Sequence, residues 1–256
     1  MWNALDLCAS ICTGCFLELT LVLMLSGAVF DLDGVLANSH PIHLASWKSF
    51  LTSVGIATTD EDLEIIRDGR TKEELLRHFM GDLSDDELCK YAAEKDRIYG
   101  EHVGDLAPVR GVRYLLHELR SAGIKLAVAS SGSGWRVHQT LDLLRLSNYF
   151  HIVSTADEFK ARKSSSAIFL ATAQRMQVRC EQAVVFEDSD VAIHSAKTIG
   201  MKCIGIADAV RSKALIRAGA ERTFPNFLQI SLVHLQSLFS VAPTLNSSSH
   251  AQDCSV

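Results

Sequence analysis

The feature that most constrains the fold of this 256-residue chain is a series of short apolar runs separated by longer segments of helical period. Each run is rich in Val, Ile and Ala almost throughout, as expected for a strand that is buried on both faces of a parallel sheet. The pattern therefore predicts an α/β fold in which helices cover both faces of a doubly wound parallel sheet. The predicted strands are residues 27–33, 124–131, 150–155, 183–188 and 202–207.

The pattern breaks between the first and second predicted strands. Residues 39–106 contain no such apolar run, but Thr71-x-x-Glu74 and Ser84-x-x-Glu87 each spell a capping box before an amphipathic segment. We interpret this block as a small helical domain inserted into the α/β core. One predicted helical face of the block carries Leu44, Trp47, Leu51 and Val54.

The apolar stretch at residues 15–30 does not have the pattern of a signal peptide. No Lys or Arg precedes it, and Glu18 interrupts it, so it also lacks the features of a membrane span. Our hypothesis is that the natural chain begins at Met24, and the alternative is a start at Met1. The predicted organisation is an N-terminal extension at 1–23, an α/β core at 24–38 and 107–240, a helical domain at 39–106 and a disordered polar tail at 241–256.

The charge distribution favours a small-molecule partner. The chain has a formal net charge of -5, and its sequence contains no basic stripe for nucleic acid and no polybasic segment for a membrane surface. We therefore expect neither a nucleic-acid partner nor a membrane partner. The sequence does not determine the oligomeric state, although we favour a monomer.

The cysteines favour reduced thiols in a cytoplasmic protein. There are seven of them, an odd number, and those beyond position 15 are scattered along the chain. Cys8, Cys12 and Cys15 have the spacing C-x3-C-x2-C, which resembles the iron-sulfur loop of radical S-adenosylmethionine enzymes. No strand precedes this trio, so we interpret it as three incidental thiols.

Polar residues lie at or just beyond the carboxyl ends of several predicted strands. Because ligands of such sheets bind beyond the carboxyl ends of the strands, we expect these residues to form one site. They are Asp31 and Asp33 at the end of the first strand, Ser130, Ser131 and Gly132 at the end of the second, Lys160 and Lys163 after the third, and Glu187 and Asp188 at the end of the fourth.

Four motifs, taken in order, resemble those of the haloacid dehalogenase-like superfamily. They are "FDLDGVL", the "VASSGS" that contains Ser130, a downstream lysine, and "FEDSDVAIHSAKTIGM". The resemblance is strongest to the β-phosphoglucomutase and sugar-phosphatase branch, and it covers about residues 27–235. It implies a Rossmann-like core, with the helical block acting as a cap over the site.

The resemblance assigns different roles to the two aspartates. Alternation in an extended chain places their side chains roughly 6 to 7 Å apart on one side. Asp31 would be the nucleophile that becomes an aspartyl phosphate, and Asp33 would be the general acid and base. Ser130 would bind the transferring phosphoryl group, assisted by the amides of Ser131 and Gly132.

A magnesium ion is the cofactor that the resemblance implies. Asp31, Asp188 and the backbone carbonyl of Asp33 offer the hard oxygen ligands that Mg²⁺ prefers. Glu187 would act through a metal-bound water. The alternative for the acidic segment is simple N-capping of the next helix, a role open to Ser189 or Asp190.

The segment around the lysine departs from the family pattern Gly-Lys-Pro-x-Pro-Asp-x-Phe. Lys163 aligns with the lysine of this pattern, and it would neutralise charge on the phosphoryl group and bridge to Asp31. The glycine, both prolines and the aspartate are replaced by Arg162, Ser164, Ser166 and Ala167. Such changes loosen the segment that presents the lysine, so we expect weakened activity.

The helical block contributes candidate substrate contacts. His43 matches the histidine that β-phosphoglucomutase uses to couple cap closure to its general acid; the alternative is an ordinary polar residue in a first helical turn. Arg70 and Lys72 are candidate contacts for a distal phosphate or hydroxyl, against the alternative of a solvated helix start. Leu75 falls where the mutase has a polar substrate contact, which counts against mutase activity.

These residues predict a Mg²⁺-dependent phosphatase of small phosphorylated sugars or polyols. The first alternative is a mutase of the β-phosphoglucomutase type. The second is a catalytically impaired relative that only binds a phosphorylated ligand, which the altered lysine segment suggests. Dehalogenase action is disfavoured because dehalogenases lack the second aspartate and need no metal.

Overall fold

A computed structural model describes residues 24–67, 70–155, 157–158 and 166–239 of the chain. Within these residues six parallel strands form one sheet. The strands are β1 (Gly27–Phe30), β2 (Lys125–Ser130), β3 (Ile152–Thr155), β4 (Ala183–Glu187), β5 (Lys202–Ile206) and β6 (Arg222–Phe224). Their spatial order is β3-β2-β1-β4-β5-β6, so the order reverses direction at β1.

Helices connect the strands and cover the sheet. Between β1 and β2 the chain forms α1 (His40–Ser53), α2 (Lys72–Met80), α3 (Asp85–His102) and α4 (Val112–Ser121). The later helices are α5 (Gly134–Leu143), α6 (Ser166–Met176), α7 (Asp190–Thr198), α8 (Ala209–Arg217) and α9 (Leu232–Ser237). This architecture confirms the predicted doubly wound α/β fold.

The alternation of side chains along β1 shows why the sheet is covered on both faces. Phe30 packs into one hydrophobic cluster with Leu115 of α4, whereas Val29 packs into a second cluster with Phe169 of α6. Consecutive residues of a strand point to opposite faces, so an uninterrupted apolar run needs a hydrophobic layer on each side. The central strand β1 is completely buried as a result.

The five predicted strands are present, with ends within a few residues of those expected. The first strand ends earlier than predicted, at Phe30, although the Asp31 N–H still donates to the Phe186 carbonyl at 3.0 Å. The sequence pattern missed β6. This edge strand has only three residues, Arg222–Phe224, and is therefore too short for an apolar run to identify.

The predicted helical block has its own hydrophobic cluster. Both predicted capping boxes are present, at the starts of α2 and α3. The predicted face of α1 is also confirmed, since Trp47 and Leu51 are buried while Leu44 and Val54 pack against the cluster. The division of the chain into domains stays a prediction. The buried members of the cluster are Trp47, Phe50, Leu51, Leu63, Leu75, Leu76 and Ile98.

Several sequence predictions lie outside the described residues. They concern the N-terminal extension with its three cysteines, the C-terminal tail, and the segment with Lys160 and Lys163. Among the described cysteines, Cys89, Cys180 and Cys203 are free thiols. No helix in the described parts of the chain has the length and apolar character needed to cross a bilayer.

Candidate active site

The carboxyl ends of β1 and β4 bring three acidic residues together. Asp31 follows β1, while Glu187 ends β4 and Asp188 follows it. One carboxylate oxygen from each of the three lies within 4.8 Å of the others, and all three residues are buried. We call Asp31, Glu187 and Asp188 the acidic cluster. Adjacent parallel strands produce it, because their carboxyl ends meet at one edge of the sheet.

Backbone amides and a histidine hold the acidic cluster in place. Glu187 Oε2 accepts hydrogen bonds from the N–H groups of Asp188 (3.0 Å) and Ser189 (3.1 Å). Of the two predicted capping residues, Ser189 caps α7, because its side chain accepts from the Ala192 N–H. His40 Nε2 lies 3.0 Å from Asp188 Oδ2. The cluster is therefore fixed by the start of α7 and contacted by the first residue of α1.

Gly34 allows the chain to turn beside the acidic cluster. Its φ angle is +76°, a conformation that favours glycine. A Cβ atom at this position would collide with Asp188 Oδ2 and with the His40 ring. The position therefore needs glycine both for its backbone conformation and for the close approach of a cluster carboxylate.

Asp33 lies in different surroundings from those of Asp31. Its Oδ1 accepts from Ser39 Oγ at 2.8 Å and from Arg136 Nη1 at 3.1 Å, and it lies 3.2 Å from His43 Nε2. Its Oδ2 accepts from Arg136 Nη2 at 2.7 Å. The Arg136 guanidinium therefore grips both oxygens of Asp33, in the paired geometry that gives the strongest ionic hydrogen bonds.

These contacts set the protonation states around Asp33. Burial alone would raise the pKa of the Asp33 carboxyl, but the charge of Arg136 and the hydrogen bonds from His43 and Arg136 hold it well below its usual value. Burial lowers the pKa of His43, although its contact with Asp33 acts in the opposite direction. In this arrangement Asp33 is a carboxylate.

Further cations and rings surround Asp33 on the side of the helical block. Lys95 of α3 is only 3% exposed, and its Nζ lies 5.1 Å from the ring centroid of Trp47 and 5.3 Å from that of Tyr99. Burial lowers the pKa of Lys95 to about 7. The Arg136 guanidinium carbon lies 5.8 Å from the Tyr99 centroid. We call His43, Lys95 and Arg136 the basic cluster.

The loop after β2 contains the predicted phosphoryl-binding residues. Ser130 is fully buried, and its Oγ accepts a hydrogen bond from the Gly132 N–H at 3.2 Å. Ser131 is exposed. At the start of α5 the Gly134 N–H donates to Asp157 Oδ2 at 2.6 Å. Asp157 lies a few residues before Lys163, so the chain approaches this loop shortly before the lysine segment.

The structure places the predicted substrate contacts of the helical block in different surroundings. His43 lies against Asp33, as described above. Arg70 is exposed, and Lys72 Nζ is held by Asp96 Oδ2 at 2.5 Å. Leu75 packs inside the hydrophobic cluster of the block and is 3% exposed, so its side chain is part of that core.

Sequence reasoning missed Arg136, Lys95, Ser39, His40 and Tyr99. Arg136 and Asp33 are 103 positions apart, and a single arginine in a helix forms no motif. One general rule could have found it. The first turn of a helix that follows a sheet strand lies at the carboxyl edge of the sheet, so each polar residue there is a candidate for the site.

The chain resembles known proteins over most of its length. The model of the haloacid dehalogenase-like hydrolase family matches residues 28–206. The phosphorylated carbohydrates phosphatase of Thermotoga maritima is 32% identical over 203 residues, covering 77% of this chain and 92% of that protein. The beta-phosphoglucomutase of Bacillus subtilis is 25% identical over 191 residues, covering 71% of this chain and 83% of that protein.

A solved structure shares the fold. The crystal structure of a hydrolase of family IA, variant 3, from Entamoeba histolytica superposes with a TM-score of 0.76 and 26% identity. The match covers 84% of this chain and 99% of the other. The similarity therefore extends beyond the sheet to the helices that surround it.

Proposed function

Because the chain belongs to the haloacid dehalogenase-like hydrolases, we propose that it is a Mg²⁺-dependent phosphatase of small phosphorylated sugars or polyols. Family membership confirms the resemblance seen in the four motifs, and with it the hydrolase class. The observation that carries the proposal is the acidic cluster with Asp33 next to it. The cluster is a candidate cation site, and Asp31 and Asp33 are two aspartates in different surroundings. The named activity of the Thermotoga relative supports a phosphorylated carbohydrate as the substrate class.

The chemistry of the acidic cluster fits a magnesium ion. Three buried carboxylates within 4.8 Å of one another repel each other, and a divalent cation relieves that repulsion. We propose that Asp31, Asp188 and the backbone carbonyl of Asp33 hold the ion, and that Glu187 acts through a water. When bound, the ion would cancel charge on the substrate phosphate and so permit an anionic nucleophile to approach.

We propose that Asp31 and Asp33 divide the chemistry between them. An oxygen of Asp31 attacks phosphorus, the bond from phosphorus to the ester oxygen breaks, and protonated Asp33 gives its proton to the departing oxygen. Water then attacks the aspartyl phosphate, Asp33 takes its proton, and phosphate leaves with Asp31 regenerated. In the arrangement described here Asp33 is an ion-paired carboxylate, so the first step requires its pairing with Arg136 to change.

The remaining predicted residues would bind the substrate. We propose that Ser130 donates its hydroxyl to the phosphoryl group, together with the amides of Ser131 and Gly132. Lys163 would neutralise the charge that develops there. Support for the loop comes from its position at the end of β2, which pairs directly with β1.

We propose that the helical block is a cap that excludes water from the site. Its support is the contact of Ser39 and His43 with Asp33, since both residues lie at the start of α1. Arg70 and Lys72 stay candidate contacts for the distal end of the substrate, and Lys72 would have to leave Asp96 to serve. We also propose a cytoplasmic location, which the free thiols favour.

The test is phosphate release from a panel of sugar and polyol phosphates, with and without Mg²⁺, for the wild type and Asp31→Asn. Release that requires both the metal and Asp31 is expected. Asp60→Asn is the matched control, because Asp60 forms an exposed ion pair with Lys48 in the helical block. Release that persists in Asp31→Asn would contradict the proposal.

A phosphosugar mutase is the second candidate, since the Bacillus relative is named a beta-phosphoglucomutase. The burial of Leu75 in the helical core disfavours it. Steady conversion of β-glucose 1-phosphate to glucose 6-phosphate, with a bisphosphate activator and without phosphate release, would establish the mutase instead. Binding of phosphorylated ligands without any turnover would identify the impaired relative.

A further inference from the structure

We propose that Arg136 selects substrates that carry a second anionic group, and that binding of this group by the Arg136 guanidinium releases Asp33 for proton transfer. The second group is a phosphate or a carboxylate, so the substrates are sugar bisphosphates or phosphorylated sugar acids. The inference rests on the proposed phosphatase function and assigns it a substrate class.

The geometry shows why Asp33 is not ready to act. Arg136 Nη1 and Nη2 contact Oδ1 and Oδ2 of Asp33 at 3.1 and 2.7 Å, and Ser39 Oγ also donates to Oδ1. Each oxygen that could carry a proton to a leaving group is therefore occupied by the guanidinium. Asp33 can face a substrate oxygen only after Arg136 has found another partner.

The basic cluster holds a second basic group, Lys95, that has no carboxylate partner of its own among the described ion pairs. Arg136 and Lys95 both lie in the seam between α5 of the core and α3 of the helical block. Among the ion pairs within the described residues, Asp33 is the partner of Arg136 and none involves the Lys95 ammonium. Lys95 is 3% exposed and rests on two aromatic rings instead. An anionic ligand at Arg136 would stabilise the charged form of this buried lysine, so the two basic groups together favour such a ligand.

The position of the guanidinium places that ligand beside the reacting phosphoryl group. Arg136 lies in the first turn of α5, directly after the loop of Ser130 and Gly132. A Cβ atom at Gly132 would collide with the Arg136 guanidinium, so the two are in close approach. On its other side Arg136 faces the Tyr99 ring. The Arg136 guanidinium therefore lies between the proposed phosphoryl-binding loop and the helical block.

The exchange needs no change in net charge at Arg136. A guanidinium binds the oxygens of a phosphate or a carboxylate with the same paired hydrogen bonds that it now makes to Asp33. A substrate with a second anion supplies such a partner, whereas a substrate with a single phosphate offers only the group that reacts. The first kind should consequently free Asp33 more often than the second.

The test compares substrates that differ only in the second anion. One pair is fructose 1,6-bisphosphate and fructose 1-phosphate; the other is 6-phosphogluconate and glucitol 6-phosphate. We expect wild-type kcat/KM for phosphate release to favour the doubly anionic member of at least one pair by about 10-fold or more. The pair with the larger ratio identifies the second group as phosphate or carboxylate.

Arg136→Met should abolish that preference. We expect kcat/KM for the preferred substrate to fall about 10- to 100-fold. That for its singly anionic partner should not fall, because the substitution also removes the guanidinium that occupies Asp33. Arg136→Lys keeps the positive charge but cannot make the paired hydrogen bonds of a guanidinium. It should give an intermediate ratio of kcat/KM between the two substrates. Arg97→Met is the matched control, because Arg97 lies on α3 and pairs with Glu94 and Glu101 at the surface. It should leave the ratio unchanged.

Binding to Asp31→Asn separates this inference from the proposed function. Titration calorimetry in Mg²⁺ should show tighter binding of fructose 1,6-bisphosphate or 6-phosphogluconate than of its partner, and Arg136→Met in the same background should remove the difference. This holds even if the wild type releases no phosphate from any compound. Equal affinities within both pairs, or an equal loss for both members on Arg136→Met, would overturn the inference.

Discussion

Asp31 and Asp33 are separated by one residue, yet their carboxylates lie in opposite electrostatic surroundings. Asp31 belongs to the acidic cluster, with Glu187 and Asp188 from the neighbouring strand. Asp33 lies against Arg136 and His43, close to the helical block. The difference arises from the fold, because the first environment is built at the sheet edge and the second in the seam between core and inserted helices. Two identical side chains can therefore serve as nucleophile and as proton carrier.

The largest effects should follow from exchanging either aspartate for asparagine. We expect Asp31→Asn to lose about 10,000-fold or more of the activity on every substrate. Asp33→Asn should lose about 100- to 10,000-fold on a polyol phosphate, whose leaving group needs a proton. Steady-state phosphate release measures both. Equal losses from the two variants on polyol phosphates and on para-nitrophenyl phosphate would remove the distinction between the two environments.

The role of the acidic cluster around Asp31 can be tested by substituting Gly34. Gly34→Ala should raise the Mg²⁺ concentration for half-maximal activity about 10-fold or more, because the new Cβ displaces the Asp188 carboxylate. Gly55→Ala is the matched control: Gly55 has a φ angle of +81°, and a Cβ there meets nothing within 4 Å. Each change should cost about 1–2 kcal/mol in stability from the backbone conformation.

A Mg²⁺ titration and thermal unfolding of both variants distinguish the effect of the collision with Asp188 from that of backbone strain. A shifted Mg²⁺ requirement in Gly55→Ala as well would show that backbone strain, and not the collision with Asp188, is responsible.

The basic cluster can be tested by substituting Lys95 and measuring stability at two pH values. The pKa of Lys95 is about 7 in the folded protein, well below its usual value, because burial disfavours the charged form. Between these two pKa values the unfolded chain binds more protons, so this lysine makes the wild type more stable as pH rises. Lys95→Met lacks that term. The free energy of unfolding of Lys95→Met relative to that of the wild type should therefore be about 2 to 3 kcal/mol more favourable at pH 6.5 than at pH 9.

Chemical denaturation at the two pH values provides the measurement. Lys90→Met is the control, because Lys90 lies on the same helix beside a tyrosine ring but is exposed. It should change the free energy of unfolding by less than about 0.5 kcal/mol at either pH. An advantage of Lys95→Met that is the same at both pH values would contradict the burial of a charged group.

Much of the core could be predicted because its determinants are local in the sequence. Apolar runs identify β1 to β5, and the capping boxes at Thr71 and Ser84 mark the starts of two helices. The acidic cluster could be predicted from strand ends alone, since parallel strands bring their carboxyl ends to one edge. The short edge strand β6 has no such pattern and was missed.

Of the basic cluster only His43 was predicted, from the family resemblance, and Lys95 and Arg136 could not be predicted from the sequence. Its members come from the start of α1, from α3 and from α5, and only tertiary packing brings them together. Arg136 has no motif of its own, and the burial of Lys95 depends on Trp47 and Tyr99. The site on the sheet side follows from a topological rule, whereas the site on the helical side depends on how the insertion packs.

The most direct test of the division between Asp31 and Asp33 is to trap the phosphorylated enzyme. Because para-nitrophenolate leaves without a proton, Asp33→Asn should still attack para-nitrophenyl phosphate through Asp31, and hydrolysis of the aspartyl phosphate should then be slow for lack of a base. After an acid quench, we predict a stoichiometric phosphoenzyme whose phosphate maps to Asp31. A phosphate on another residue, or no phosphoenzyme despite release of para-nitrophenolate, would contradict the account.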